Sequence, residues 1–162
     1  MVWKVGKMDA YQLLAQLLLE EKGMASLPGM TRGERGKPRF PAYPALCFNV
    51  SHSGDLSLCA LGEKDVGCDI ELVRPRSGGL PAYVLDEGEL DWFRARGGRW
   101  EDLYTLWTLK EARVKCTGQG LNAPPRAISV PLMEPGESAQ REGFRFTALA
   151  GEGWRGAVCE KL

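Results

Sequence analysis

Two carboxylates stand two residues apart in the stretch VGCDIEL at 66–72. If this stretch is a strand, its side chains alternate between faces, so Asp69 and Glu71 share one face about 6–7 Å apart. Gly67 leaves space beside them, and the apolar residues between them form a core face on the other side. Two such carboxylates repel each other unless a cation or solvent lies between them. A solvent-exposed strand face and a metal-binding face are both compatible with this pattern.

A charged flank accompanies an apolar stripe in the stretch LYTLWTLKEARVKCTGQGL at 103–121. The leucines recur at helical spacing, which predicts an amphipathic helix. At about 100° per residue, Trp107, Glu111 and Lys115 fan across one flank, with Lys110 on the other side of the tryptophan. If the helix packs across the acidic strand face, Glu111 completes a three-carboxylate cluster suited to Mg²⁺, and the lysines supply positive charge for phosphates. The alternative is an ordinary core helix with a solvent-exposed ion pair.

The single histidine of the chain follows a strand-like run, LCFNV at 46–50, in the sequence Ser51-His52-Ser53. If this run forms a strand adjacent to the acidic strand, the hydroxyl of Ser51 and the imidazole of His52 are candidates to contact the same anion. The alternative is a structural histidine, and the functional interpretation depends on its neighbours.

The remaining patterns predict the elements that would position these groups. A long loop at 23–44 carries a basic cluster, Arg32, Arg35, Lys37 and Arg39. The predicted order is one helix and three strands, followed by two helices and three strands. This order predicts an α+β fold with small, mainly antiparallel sheets. We expect one domain, 1–162, with approximate lobes 1–64 and 65–162. The predicted helices are 9–22, 86–96 and one from Trp100; the predicted strands are 46–50, 56–61, 66–72, 127–130, 143–149 and 154–159.

Composition narrows the classes of function. The 21 basic residues balance the 21 acidic ones, so net charge gives no case for bulk attraction to nucleic acid or membrane. The five cysteines show no CxxC spacing, which favours neither a disulfide framework nor a zinc site. This usage favours a reducing, cytoplasmic compartment. We find no signal-peptide pattern and no apolar run long enough to cross a bilayer.

Four motifs, taken together, resemble a known family: GKP at 36–38, FNVSHSG at 48–54, VGCDIE at 66–71 and LWTLKEARVKCTGQGL at 106–121. In order and spacing they are similar to the 4′-phosphopantetheinyl transferases of the surfactin-synthetase-activating type. The resemblance implies two pseudo-symmetric α/β lobes. It also implies transfer of the phosphopantetheine arm of coenzyme A to a serine of an acyl or peptidyl carrier protein, with release of adenosine 3′,5′-bisphosphate.

Carried over by position, the resemblance implies metal ligands and catalytic groups. Asp69, Glu71 and Glu111 would hold Mg²⁺, with Mn²⁺ as a substitute left open. Glu111, or a water that it orients, would take the serine proton, and Lys115 would stabilise charge at phosphorus. Asp69 would be the third catalytic residue. The expected contacts to coenzyme A are Lys37, Ser51, His52, Lys110 and Lys115. Trp107 would pack beneath the site, and Glu89 matches a further acidic position without a defined role.

The chain departs from the family pattern near its start. Members of this type usually carry a longer N-terminal segment with a first strand, a helix and basic groups, and Gln12 stands where an arginine is usual. We therefore expect an incomplete first lobe, which leaves coenzyme A affinity and the choice between monomer and homodimer open. Two alternatives follow: a catalytically weak or inactive module that binds coenzyme A or a carrier protein, and a Mg²⁺-dependent hydrolase of a pyrophosphate ester.

Overall fold

The computed structural model describes residues 1–33, 36–120 and 123–162, and it confirms the predicted α+β class. Its helices are α1 (Ala10–Lys22), α2 (Leu80–Val84), α3 (Glu87–Ala95) and α4 (Trp100–Thr117), with a 3₁₀ turn at Pro125–Ala127. Its strands are β1 (Val2–Gly6), β2 (Thr31–Arg32), β3 (Pro38–Arg39), β4 (Cys47–Ser53), β5 (Leu56–Gly62), β6 (Val66–Leu72), β7 (Ser138–Arg141), β8 (Phe144–Gly151) and β9 (Trp154–Lys161).

The first sheet has the antiparallel order β1–β5–β4, and α1 packs on one of its faces. The carboxylate of Asp9 accepts the N–H groups of Tyr11 and Gln12 and so caps the start of α1. Gly23 ends the helix in the left-handed conformation, with a φ of 66°. Between these caps, the helix buries a leucine side against the sheet: Leu13, Leu14, Leu17 and Leu18, with Phe40 and Phe48.

The second sheet has the antiparallel order β6–β9–β8–β7, and α4 packs across β6 and β9. The close approach of α4 to β6 depends on Gly67. A Cβ atom at this position would lie 2.1 Å from the carbonyl oxygen of Ala112 and 2.3 Å from the backbone nitrogen of Cys116. Only glycine therefore lets the helix settle at this depth over the acidic strand. The predicted central helix and acidic strand are both confirmed.

The two sheets meet where β4 runs beside β6. These strands belong to different sheets, and side chains of β4 accept backbone N–H groups of β6. The three contacts, which we call the seam, use alternate residues of each strand and therefore one face of β4. They are Asn49 Oδ1 with Cys68 N (2.8 Å), Ser51 Oγ with Ile70 N (3.4 Å) and Ser53 Oγ with Leu72 N (3.1 Å).

One predicted strand is wrong, and other elements were not predicted. Residues 127–130 do not form a strand: the 3₁₀ turn follows Pro124, and the carbonyl groups of Pro125 and Ile128 accept hydrogen bonds from Lys110. Strand β1, at the edge of the first sheet, was not assigned from the sequence. Strand β7 was assigned to a turn because it is short, polar and mostly exposed. Helix α2 and the small β2–β3 hairpin in the long loop were also not predicted.

Within the described residues, no helix combines the length and apolar character needed to span a bilayer.

Candidate functional site

Asp69, Lys115 and Ser51 form the centre of the site, and they come from β6, α4 and β4. The ammonium group of Lys115 donates to Oδ1 of Asp69 at 2.7 Å and to Oγ of Ser51 at 3.0 Å. Ser51 in turn donates to the same Oδ1 at 3.0 Å. Since the hydroxyl also accepts the N–H of Ile70, its one donor and two acceptor positions are all in use. Ser51 therefore holds Asp69 and Lys115 in place.

Burial shapes the protonation of this centre. It raises the pKa of Asp69, an effect that Lys115 and Ser51 oppose without cancelling. Burial by itself lowers the pKa of Lys115, but the charge of Asp69 and the hydrogen bond to it outweigh burial, so the pKa of Lys115 is raised. Oδ2 of Asp69 is also buried, and it has no hydrogen-bond partner among the described residues. An ionised carboxylate with one buried oxygen unsatisfied is costly, so this atom calls for a cation or a donor.

Glu111 and Glu71 add two further carboxylates beside this centre. Burial raises the pKa of Glu111, and the charges of Asp69 and then Glu71 raise it further, while Lys115 opposes them. Glu71 lies on the same face of β6 as Asp69, and its Oε2 accepts a hydrogen bond from Ser53 at 3.2 Å. Of the two alternatives that the sequence left open, the structure has α4 packed on the acidic face of β6, where Gly67 lies against Ala112 and Cys116.

The donor set fits a hard divalent cation that keeps part of its own hydration. In the part of the chain that the structure describes, no three His, Cys, Asp or Glu side chains form a ready cage. Mg²⁺ does not need one, because it commonly binds one or two carboxylates and completes its shell with water and phosphate oxygens. The unsatisfied Oδ2 of Asp69 and the mutual repulsion of three carboxylates are both relieved by such an ion.

Lys110 is a correction to the sequence analysis, which expected it to contact phosphate. Its side chain is fully buried on another face of α4, and its ammonium group pairs with Glu89 at 2.8 Å. The carbonyl oxygens of Pro125 and Ile128 accept its other hydrogen bonds at 3.1 and 2.8 Å. All three donors are therefore used inside the protein. The pair ties α4 to α3 and to the 3₁₀ turn, which gives Glu89 a structural role.

Among the described residues, Lys37 and His52 form no hydrogen bond or ion pair with Asp69, Glu71 or Glu111. Lys37 donates to the carbonyl oxygen of Cys116, at the end of α4, and pairs with Asp65 at 3.3 Å. It lines a cavity of about 520 Å³ that also contains Arg39, Lys64 and Lys161. His52 is exposed and alternates with Ser51 and Ser53, so it occupies the opposite face of β4. Arg35, named with the basic cluster, lies outside the described residues.

An apolar cavity of about 370 Å³ opens beside Glu71, between α2 and α4. Trp107 lines it, so this side chain flanks the site instead of lying beneath it. Tyr104, Leu80 and Arg76 also line it, and Arg76 donates to the hydroxyl of Tyr104 at 3.2 Å. Sequence reasoning missed Leu80 because α2 was not predicted, and it gave Tyr104 and Arg76 no role.

Ser53 is a second residue that sequence reasoning missed. It belongs to the FNVSHSG motif, yet it received no role there. The alternation of β4 would have placed it on the same face as Ser51 and therefore towards the acidic strand.

Comparisons with known proteins agree on one family. The model of the 4′-phosphopantetheinyl transferase superfamily matches residues 65–159. A 4′-phosphopantetheinyl transferase of Bacillus subtilis is 33% identical over 134 residues, which cover 78% of this chain and 60% of the relative. The 4′-phosphopantetheinyl transferase AcpT of Salmonella typhimurium is 41% identical over 110 residues, covering 65% and 57%. The 4′-phosphopantetheinyl transferase Sfp of Bacillus subtilis is 34% identical over 106 residues, covering 64% and 47%. The chain thus spans about half of the length of the curated relatives that it matches.

Proposed function

Because the chain belongs to the 4′-phosphopantetheinyl transferase superfamily, we propose that it transfers the 4′-phosphopantetheine arm of coenzyme A to a serine hydroxyl of an apo acyl or peptidyl carrier protein. The serine oxygen bonds to the phosphorus of the arm, and the bond from that phosphorus to the bridging oxygen of the pyrophosphate breaks. Adenosine 3′,5′-bisphosphate leaves. The activity printed in the names of the relatives supports this proposal.

One observation carries the proposal: the Lys115–Asp69–Ser51 centre, with its unsatisfied carboxylate oxygen, lies next to Glu111. Phosphoryl transfer relies mainly on positioning and on electrostatic stabilisation, and this cluster offers both. Asp69, Glu71 and Glu111 would hold Mg²⁺, or Mn²⁺ in its place. When bound, the ion neutralises charge on the pyrophosphate.

Glu111 and Lys115 then have separate tasks. In the metal-free protein, burial and the charge of Asp69 raise the pKa of Glu111, and we assign the role of general base to its carboxylate. It would take the proton of the carrier serine, directly or through one water. Lys115 keeps its charge because Asp69 raises its pKa. Its ammonium group would stabilise the negative charge that develops on the phosphoryl oxygens.

The length of α4 suggests how coenzyme A would lie. Lys37 contacts the helix at Cys116 and Tyr104 lines the apolar cavity, and these two helix positions are about 18 Å apart at 1.5 Å per residue. We place the adenosine end near the cavity of Lys37, which Arg39, Lys64 and Lys161 also line; the contact of His52 with coenzyme A implied by the resemblance stays a prediction. The pyrophosphate would lie over Lys115, and the uncharged arm would extend into the cavity beside Glu71.

The test is intact mass spectrometry of an apo carrier protein incubated with the chain, coenzyme A and Mg²⁺. We expect the carrier to gain the mass of one phosphopantetheine arm and EDTA to block the gain. Carriers of fatty-acid, polyketide and peptide synthesis should be compared, because the site does not distinguish them.

A second candidate function is a module that binds coenzyme A or a carrier without transfer. The engagement of Asp69 Oδ1 by Lys115 favours it, since the ammonium group competes with a metal for this carboxylate. Coenzyme A binding without a mass gain on any carrier would support the module and contradict the transferase. Release of adenosine bisphosphate without a carrier would instead indicate a hydrolase.

The proposal also covers location and assembly. All five cysteines are free thiols, which suits the reducing cytoplasm. Sedimentation distinguishes the monomer from the homodimer, the two states that the sequence leaves open.

A further inference from the structure

Ser53 holds one carboxylate of the site through two hydrogen bonds made by a single hydroxyl group. Its oxygen accepts the backbone N–H of Leu72 at 3.1 Å. Its hydrogen is donated to Oε2 of Glu71 at 3.2 Å. A hydroxyl has one donor, and because the Leu72 contact uses a lone pair, the hydrogen remains available for the carboxylate. The side chain of Glu71 is thus held from the neighbouring sheet.

The arrangement at Ser53 repeats that at Ser51 two residues earlier. Ser51 accepts the N–H of Ile70 and donates to Asp69, while Ser53 accepts the N–H of Leu72 and donates to Glu71. Asp69 has Lys115 as an additional partner. Within the described residues, Ser53 is the only side chain seen to hydrogen bond Glu71. The orientation of Glu71 therefore depends on this hydroxyl more than that of Asp69 depends on Ser51.

We propose that Ser53 is a positioning residue that fixes the Glu71 carboxylate for a divalent cation shared with Asp69. A half-buried glutamate samples several rotamers, and ordering it on metal binding costs conformational entropy. Ser53 lowers that cost beforehand because its hydroxyl holds Oε2, and so fixes the carboxylate on the face of β6 that Glu71 shares with Asp69. Partners of metal-binding carboxylates commonly change metal affinity about 10-fold to 100-fold when removed. The buried and unsatisfied Oδ2 of Asp69 independently indicates that a cation belongs at this face. This inference rests on the metal site of the proposed function.

The test uses Mn²⁺ as the probe, with the full chain and without coenzyme A or carrier protein. Electron paramagnetic resonance of free Mn²⁺ during a titration gives the dissociation constant directly. The informative pair is Ser53→Thr and Ser53→Val, because both add the same bulk at the strand end and only Thr keeps the hydroxyl. We expect Val to weaken Mn²⁺ binding about 10-fold relative to Thr. Thermal denaturation of both variants shows whether they fold equally well.

A matched control serine lies in the other sheet. Ser138 shares a hydrogen bond with Thr147 at 2.8 Å on an exposed strand pair, away from the carboxylates. Ser138→Ala should leave Mn²⁺ affinity unchanged. Should the alanine variant of Ser53 used in the cycle below fail to fold, the comparison of Ser53→Thr with Ser53→Val still shows whether the hydroxyl affects Mn²⁺ affinity.

A double-mutant cycle separates positioning from a general structural effect. If Ser53 acts through Glu71, Ser53→Ala should weaken Mn²⁺ binding in the wild-type background and have no effect in the Glu71→Ala background. Equal losses in both backgrounds would overturn the inference. If the wild type binds Mn²⁺ and the Thr and Val variants bind it equally, the inference fails and the proposed function stands. If the wild type binds no Mn²⁺, the metal site of the proposed function fails with it.

Discussion

Nζ of Lys115 lies 2.7 Å from Oδ1 of Asp69, although the two residues belong to a helix and a strand 46 positions apart in the chain. The contact forms because α4 rests directly on β6 at Gly67. The side chains of the site are therefore positioned by how deeply one helix packs on one strand. A change in that depth should therefore lower activity more than it disturbs the rest of the fold.

Gly67→Ala tests this dependence. The added methyl group would meet backbone atoms of Ala112 and Cys116 at 2.1 and 2.3 Å, so the helix must move outwards. We expect a loss of about 3 kcal/mol in unfolding free energy and a fall in transfer of about 100-fold, because a displacement near 1 Å can cost that much. Gly78→Ala is the control, since a Cβ atom there meets open space. Normal activity of Gly67→Ala would contradict the packing argument.

Glu111→Gln should abolish transfer and yet stabilise the metal-free protein. Burial and the charge of Asp69 raise the pKa of Glu111, so its ionised form is unfavourable in the folded state. The stability linked to this raised pKa is fully present below the ordinary glutamate pKa and is lost as the pH rises through the folded pKa. At neutral pH the wild type therefore carries an unfavourable ionised Glu111, whereas the uncharged glutamine of the variant does not. We expect the melting temperature of the variant to be about 1–3 °C higher.

The same reasoning fixes how the difference depends on pH. As the pH falls towards about 4, wild-type Glu111 takes up its proton and the advantage of the amide disappears. Thermal denaturation in EDTA across this range measures it. Glu101→Gln, on the exposed first turn of α4, is the control for amide substitution. A variant less stable than wild type at pH 7 would refute the electrostatic account.

Lys110→Met should destabilise the protein because it leaves Glu89 buried without its ion-pair partner. We expect a loss of about 3–5 kcal/mol in unfolding free energy. Adding Glu89→Gln should recover much of it, since no charge is then left buried. Chemical denaturation of the two variants makes the comparison. Equal stability of Lys110→Met and wild type, with weakened coenzyme A binding, would restore the phosphate contact expected from the sequence.

Leu80→Trp tests whether the cavity beside Glu71 receives the arm of coenzyme A. The larger side chain fills part of the 370 Å³ space. We expect KM for coenzyme A to rise about 10-fold while Mn²⁺ binding changes far less, because no carboxylate is replaced and Asp69 does not line the cavity. Tyr83→Trp is the control on the same helix, at a side chain that is 55% exposed. An unchanged KM with a folded Leu80→Trp variant would exclude the cavity as the site of the arm.

The sequence predicted the elements whose pattern is local. Helix α4 and strand β6 were correct because apolar spacing and glycine stops define them within a few residues. Strand β7 was missed because its polar residues carry no alternating pattern, and pairing with β8 forms it. The 3₁₀ turn at Pro125–Ala127 replaces a predicted strand, since its carbonyl neighbours bind Lys110.

The residue types of the site could be predicted from the sequence, but the direction in which each side chain points could be predicted less well. Asp69, Glu111 and Lys115 share one region because strand alternation and helical spacing both point there. The prediction for Lys110 was wrong because the sequence does not reveal that Glu89 and two carbonyl groups lie against another face of α4. Whether a lysine faces solvent or a buried partner depends on elements far away in the chain.

The seam between the sheets has a consequence for mutation. A ladder of backbone groups forms with almost any residues, whereas the three contacts of the seam form only while positions 49, 51 and 53 carry short oxygen-bearing side chains. Changes in three codons would therefore remove the polar contacts of the seam without altering the ladder of either sheet, and would leave the apolar cluster between the sheets in place. The polar contacts between the two sheets therefore depend on the identity of three side chains, and a substitution at any of these positions removes one contact.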